Sequence, residues 1–227
     1  LPYASFSVGI DPLSAFFLLP LLLLSGLCAV YGMSYMEHGG TESGAGWFFF
    51  GMLVFGMSLA VVARNGVLFI IAWELMALSS FFLVTHDHHR KEVRKAGWIY
   101  IVCAHFCTAA VFAVFAILGR NSNSLDFSTF QILKSGTLAS TAVFIAALVG
   151  FGSKAGFLPL HIWLPEAHPV APSHVSSLMS GIMIKIGIYG FLRTLTFLGD
   201  PQLWWGITLI AIGASSGLLA IIFGNAQ

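Results

Sequence analysis

Apolar residues run along this chain in long unbroken blocks, not in the alternating pattern of a half-buried strand. Seven blocks approach the roughly 20 residues that a helix rising about 1.5 Å per residue needs to cross a hydrocarbon layer. They run from Leu13 to Tyr35, Trp47 to Ala63, Gly66 to Thr85, Ala96 to Leu118, Leu138 to Leu158, Ser173 to Phe197 and Leu203 to Phe223. The expectation is an all-α transmembrane helix bundle of about seven spans. Transmembrane β-strands alternate and are shorter, so a β-barrel is excluded.

The fifth block departs from the others. Gly150, Gly152, Ser153 and Gly156 crowd around Lys154, and Pro159, Pro165, Pro169 and Pro172 follow within sequence that stays apolar. A straight helix does not continue through such a stretch, so a broken helix is expected near Lys154. Breaks at membrane depth persist where they are packed in protein or line a cavity, often beside an ion site. Among the connections, His86 to Lys95 is the most charged and is expected on the cytoplasmic side. The wider Lys/Arg count is even: Arg90, Lys91, Arg94 and Lys95 face one side, and Arg64, Arg120, Lys134 and Arg193 the other.

Composition strengthens the membrane reading. The chain is 58% hydrophobic and 8% charged, where a soluble domain carries about a quarter charged residues. Its net charge of +1 provides no basic field for nucleic acid. Cys28, Cys103 and Cys107 all lie in apolar blocks, as small buried hydrophobes do, and not in a disulfide or metal framework. No charged segment precedes a short apolar run, so no signal peptide is expected. A start at Leu1 and a stop at Ala226-Gln227 read as a piece of a longer polypeptide. There is no GxGxxG, Walker loop, CxxC pair or GxSxG, so no cofactor or metal is expected in this chain.

Nearly all formal charges fall in loops or at helix ends; Glu74, Lys154 and Lys185 do not. Glu74 and Lys185 lie close to mid-bilayer, and a lysine stem of roughly 6 Å cannot reach an interface about 15 Å away. Each therefore needs a partner, water or the bundle interior. Desolvation disfavours the charged form of acid and base alike, which suits these groups to a proton relay. The alternative is a structural ion pair that locks helices together. His105 lies mid-way along the fourth block, between Cys103 and Cys107. Those cysteines share a helix face that His105 does not, so a Cys-His-Cys metal site fails on geometry. His105 is instead a packing residue or a proton shuttle. His86, His88 and His89 read as solvated loop residues; His161, His168 and His174 flank the proline-rich turn as a proton admission route or as structural hydrogen-bonding groups.

Two runs are specific enough to name a family. Trp73-Glu74-Leu75-Met76-Ala77-Leu78-Ser79-Ser80, and Gly152-Ser153-Lys154-Ala155-Gly156-Phe157-Leu158-Pro159-Leu160-His161-Ile162-Trp163-Leu164-Pro165-Glu166-Ala167-His168-Pro169-Val170-Ala171-Pro172, closely resemble the antiporter-like, proton-translocating membrane subunits of respiratory complex I and its hydrogenase relatives. His168 to Gly181 and the following Lys185 to Gly190 look most like the formate hydrogenlyase and hydrogenase-4 branch. The resemblance implies that Glu74 and Lys154 form a Glu-Lys pair, that Lys185 is the central lysine and that His105 is an intermediate. It implies two inverted five-helix units: residues 1–46 hold a leading helix and loop, 47–197 the first unit, and 198–227 the first helix of a truncated second.

By the same resemblance, the partners are the lipid bilayer, other membrane subunits and a peripheral redox arm carrying iron-sulfur and [NiFe]-type subunits. The location is a prokaryotic cytoplasmic membrane. Any oxidoreductase activity lies in those partner subunits. Two other readings remain: a subunit of a multi-subunit Na⁺(K⁺)/H⁺ antiporter, and a structural membrane scaffold that does not pump.

Overall fold

The computed structural model describes residues 5–39 and 44–225. Ala226-Gln227 lies outside them. The elements are α1 (Pro12–Gly39), α2 (Gly44–Val62), α3 (Gly66–Val84), α4 (Lys91–Ser122), α5 (Leu138–Ala155), α6 (Trp163–Ala167), α7 (Ser173–Leu178), α8 (Ile184–Leu195) and α9 (Leu203–Asn225), with a 3₁₀ turn at Phe127–Thr129. A π turn at Met179–Met183 joins α7 to α8, and the continuous span Ser173–Leu195 is the sixth of seven segments, among the described residues, long and apolar enough to cross a membrane.

Local chemistry explains the helix ends. Asn65 caps α3 by accepting from Val67 N and Leu68 N, and Thr137 caps α5 by accepting from Ser140 N. The helix expected to break does so at Gly156, whose φ of 82° only glycine adopts freely, and Gly156 N–H closes the last turn on Gly152 O and Ser153 O.

One sequence expectation needs correction. The fourth span starts at Lys91, not Ala96, so Lys91, Arg94 and Lys95 ride on its first turns. Glu92 favours that end through the helix dipole, and Arg94 Nη1 bonds His88 O and His89 O at 2.9 and 2.7 Å. Arg193 lies in the last turn of α8, at a helix end as the sequence suggests, and is 9% exposed inside the bundle.

Arg193 is buried because Asp11 meets it. Asp11 accepts from Ser14 N at 2.8 Å, capping α1 with Pro12 in the first helical position. The same carboxylate accepts Arg193 Nη1 at 2.6 Å and Nη2 at 2.8 Å, and Arg64 Nη2 lies 3.4 Å away. One carboxylate thus ties the start of α1 to α8 and to the α2–α3 turn.

The hydrogen bond from Arg193 holds the Asp11 carboxyl well below the usual carboxylate range, against opposing burial. A value depressed by folding stabilises above the ordinary aspartate pKa of about 4 and loses that effect as pH falls below it. Asp11→Asn is therefore expected to lower stability by about 1–2 kcal/mol at neutral pH, an exposed-to-buried compromise for a carboxylate partly open to solvent. Thermal unfolding of both proteins across pH checks this: the gap should begin to narrow as pH falls below about 4 and keep narrowing towards the depressed folded-state value, and an equal gap at both extremes would assign the effect elsewhere.

α2 and α3 form a tight antiparallel pair: a Cβ on Gly56 would sit 2.9 Å from Met76 N. α4 and α5 meet at Gly150, and α5 and α8 at Gly187 and Gly190. α9 packs least, with 6% of its window buried; Phe144 stacks on its Trp205 at 4.6 Å.

Candidate functional site

The close α5–α8 approach fixes where Lys154 goes. It occupies the last turn of α5, is 2% exposed, and its Nζ donates to Tyr100 Oη on α4 at 2.8 Å. The ammonium also lies 4.9 Å from the Tyr100 ring centroid and 5.5 Å from that of Trp163 on α6. Desolvated cation–π contacts of this kind contribute about 2 kcal/mol. Trp163 is itself oriented, since its Nε1 donates to Ser153 O at 2.9 Å. The break after Ala155 thus folds the chain back so that α6 closes over the lysine.

From Tyr100 the hydrogen bonding continues to α3. The Tyr100 hydroxyl bonds Ser80 Oγ, and Ser80 Oγ donates to Met76 O at 2.7 Å. Lys154 therefore heads a donor series, ammonium to phenol to serine, that ends on a backbone carbonyl. Such an ending anchors the ammonium and offers no onward acceptor.

The resemblance implies a Glu74–Lys154 pair; among the described residues Glu74 instead meets His105. Its Oε2 lies 3.7 Å from His105 Nε2, and its buried Oε1 has no hydrogen-bond partner among the described residues. Ser80, the level at which Lys154 is anchored, is six residues beyond Glu74, about 9 Å of helix. Glu74 and His105 instead meet across the outer edges of α3 and α4, where the His105 side chain is 56% exposed.

Lys185 stands apart from both. Just before α8, Met183 Sδ faces Tyr100 Oη at 4.0 Å, and on α8 a Cβ on Gly187 would meet Ala155. Lys185 lies two residues from each, roughly 200° round the helix, and so projects from the opposite side. Its Nζ donates to Ser180 O at 2.6 Å. Ser180 belongs to the π turn, where Ile184 N–H reaches back five residues to Met179 O; such turns occur often at functional sites.

The three histidines near the break diverge. His168 Nδ1 meets Ser176 Oγ at 2.9 Å, His174 packs against Trp47 and is 3% exposed, and the buried His161 Nδ1 has no hydrogen-bond partner among the described residues. They line both arms of the turn without touching Lys154.

Sequence reasoning missed Tyr100, Ser80 and Trp163. A signal for Tyr100 existed: Val93, Ala96, Tyr100, Ala104, Cys107 and Val111 form the buried stripe of α4, and one hydroxyl among small apolar residues at that spacing asks for a partner.

The family described as NADH:quinone oxidoreductase/Mrp antiporter, TM, matches residues 63–227. Hydrogenase-4 component B of Escherichia coli strain K12 is 42% identical over 99% of this chain and 34% of its own length. The chain thus spans about a third of the curated relatives it matches. Among solved structures, a chain of the Mrp complex from a Dietzia species superposes with a TM-score of 0.86 at 23% identity, covering 95% of this chain and 24% of that one. A chain of respiratory complex I from Thermus thermophilus gives 0.68 at 24% identity, covering 85% and 42%. At those identities the two superpositions establish the fold.

Proposed function

The chain belongs to the NADH:quinone oxidoreductase/Mrp antiporter membrane family, and from that premise we propose that it carries one proton half-channel of a hydrogenase or complex I-type membrane assembly. Residues 47–197 form its five-helix unit. Glu74, Lys154, His105 and Lys185 handle the proton, and His161, His168 and His174 serve its admission from the side of the His86–Lys95 segment, which is cytoplasmic in a bacterial inner membrane. Electron transfer takes place in partner subunits bearing iron-sulfur and [NiFe]-type centres, and this chain contributes no cofactor.

The observation that carries the reading is Lys154: a fully enclosed amine held by a phenol and two aromatic faces, with no ion pair to a carboxylate among the described residues. An ammonium so placed is strongly stabilised when a carboxylate approaches and left uncompensated when it withdraws. A merely structural lysine would keep its counter-ion, because an uncompensated buried charge is costly. Lys185, on the far face of α8, receives the proton through water and passes it to helices beyond this chain.

The test is proton uptake by inverted membrane vesicles containing the whole complex, wild type against Glu74→Gln at equal assembly and equal electron-transfer capacity. Loss of most of the pH gradient is expected; an undiminished gradient would make Glu74 structural and favour the scaffold. The family also embraces Mrp antiporters, so a second reading is Na⁺(K⁺)/H⁺ exchange. Proton movement driven by a sodium gradient with no electron donor present would shift the function there.

A further inference from the structure

The contact between Glu74 and His105 contains a proton count. His105 Nδ1 is 2.9 Å from the carbonyl oxygen of Ile101, one turn back on α4. A carbonyl only accepts, so Nδ1 carries a hydrogen. In a neutral ring Nε2 would then be a bare lone pair, and it is Nε2 that faces Glu74 Oε2 at 3.7 Å. A lone pair against a carboxylate oxygen is repulsive, the more so at low dielectric. The approach is attractive only when the two groups together hold one more proton, on Nε2 as imidazolium or on Oε2 as neutral acid. Nothing else nearby compensates a bare carboxylate: Oε1 is buried without a hydrogen-bond partner among the described residues, and Lys154 is bound to Tyr100.

We propose that Glu74 is held here in a second pairing, a one-proton, electrically neutral couple with His105 that takes the carboxylate away from Lys154. The proposal rests on the relay reading above and supplies its missing half, the place the carboxylate occupies when the lysine is alone. Moving the proton from Nε2 to Oε2 breaks an N–H bond, makes an O–H bond and leaves both groups neutral; the reverse restores the ion pair. Net charge is zero in both forms, so the couple can sit on the outer face of α3 and α4, where an unpaired charge would be expensive. Nδ1 stays on Ile101 throughout, which orients the ring. Along the axis of α3 the carboxylate lies about 9 Å from the level of Ser80, so returning it to Lys154 requires both side chains to move. His105 is thus a positioning residue for Glu74 that also stores a proton.

The experiment is ¹⁵N magnetic resonance of ring-labelled histidine in the full-length protein, assembled in its complex in lipid vesicles. The His105 signal is assigned by its loss in His105→Gln. In wild type, Nδ1 should be protonated and Nε2 either protonated or engaged by a carboxylic acid; in Glu74→Ala, Nε2 should move to the position of a free imidazole lone pair. A wild-type ring that is neutral and protonated on Nε2 overturns the proposal, as does a His105 signal indifferent to Glu74→Ala. If that variant fails to assemble, Glu74→Asp, which withdraws the carboxylate by one carbon–carbon bond, gives the same comparison. The readout is a tautomer and not transport, so failure of the relay would leave this signal in place and the two failures stay separable.

Discussion

Lys154→Ala in the full-length protein is expected to reduce proton uptake coupled to electron transfer at least a hundredfold, to the leak of the vesicles. The lysine is the only charged group enclosed by α4, α5 and α6 among the described residues, and alanine leaves nothing there to accept a proton. Tyr100→Phe is the informative companion. It keeps the aromatic face 4.9 Å from Nζ and deletes the hydroxyl that Nζ bonds at 2.8 Å. A hydrogen bond to a charged group contributes about 1.5–3 kcal/mol, so Tyr100→Phe should slow uptake about tenfold or more. Acidification of inverted vesicles, at matched assembly and with electron transfer measured after uncoupling, gives both numbers. Uptake at the wild-type rate in Lys154→Ala would remove the lysine from the proton path.

Gly187→Ala should impair stability and transport together. Its Cβ would lie 2.7 Å from Ala155 N and 2.8 Å from Phe151 O. Both are backbone atoms and cannot rotate aside, so α5 and α8 must separate. Overpacking of this kind costs about 1–3 kcal/mol. Because Lys154 precedes the contacted residue, the same displacement moves its ammonium off Tyr100 and Trp163. Gly213→Ala on α9 is the control: nothing lies within 4 Å of that Cβ, and removing a helical glycine there should be neutral or slightly stabilising. Thermal unfolding and vesicle acidification should fall together for Gly187→Ala; full stability with wild-type transport would mean that the helices accommodate the methyl group.

The spans were legible because crossing a hydrocarbon layer demands long apolar helices, and that demand is written locally. The break near Lys154 was legible for a similar reason: glycine and proline act on their own backbone. The boundary at Lys91 was misplaced because a membrane-length rule counts apolar residues, whereas α4 continues into the charged turn and its lysine and arginine stems extend to water.

The burial of Arg193 was not legible because its partner, Asp11, is 182 positions away. No local pattern announces a pairing at that distance, and both residues look like ordinary helix-end charges.

The sequence by itself determined an all-α membrane chain, the family to which it belongs, and the charged residues that lipid would not tolerate alone. Tertiary structure decided which of those groups face one another. It set Glu74 against His105, Lys154 against Tyr100, and Lys185 on the far side of α8. Burial and period are properties of a residue and its near neighbours, so they can be read along a chain. Pairing depends on the rotation and height of helices relative to each other, set here by contacts such as Gly187 on Ala155 and Gly150 on Val111, and exists only once the helices have packed.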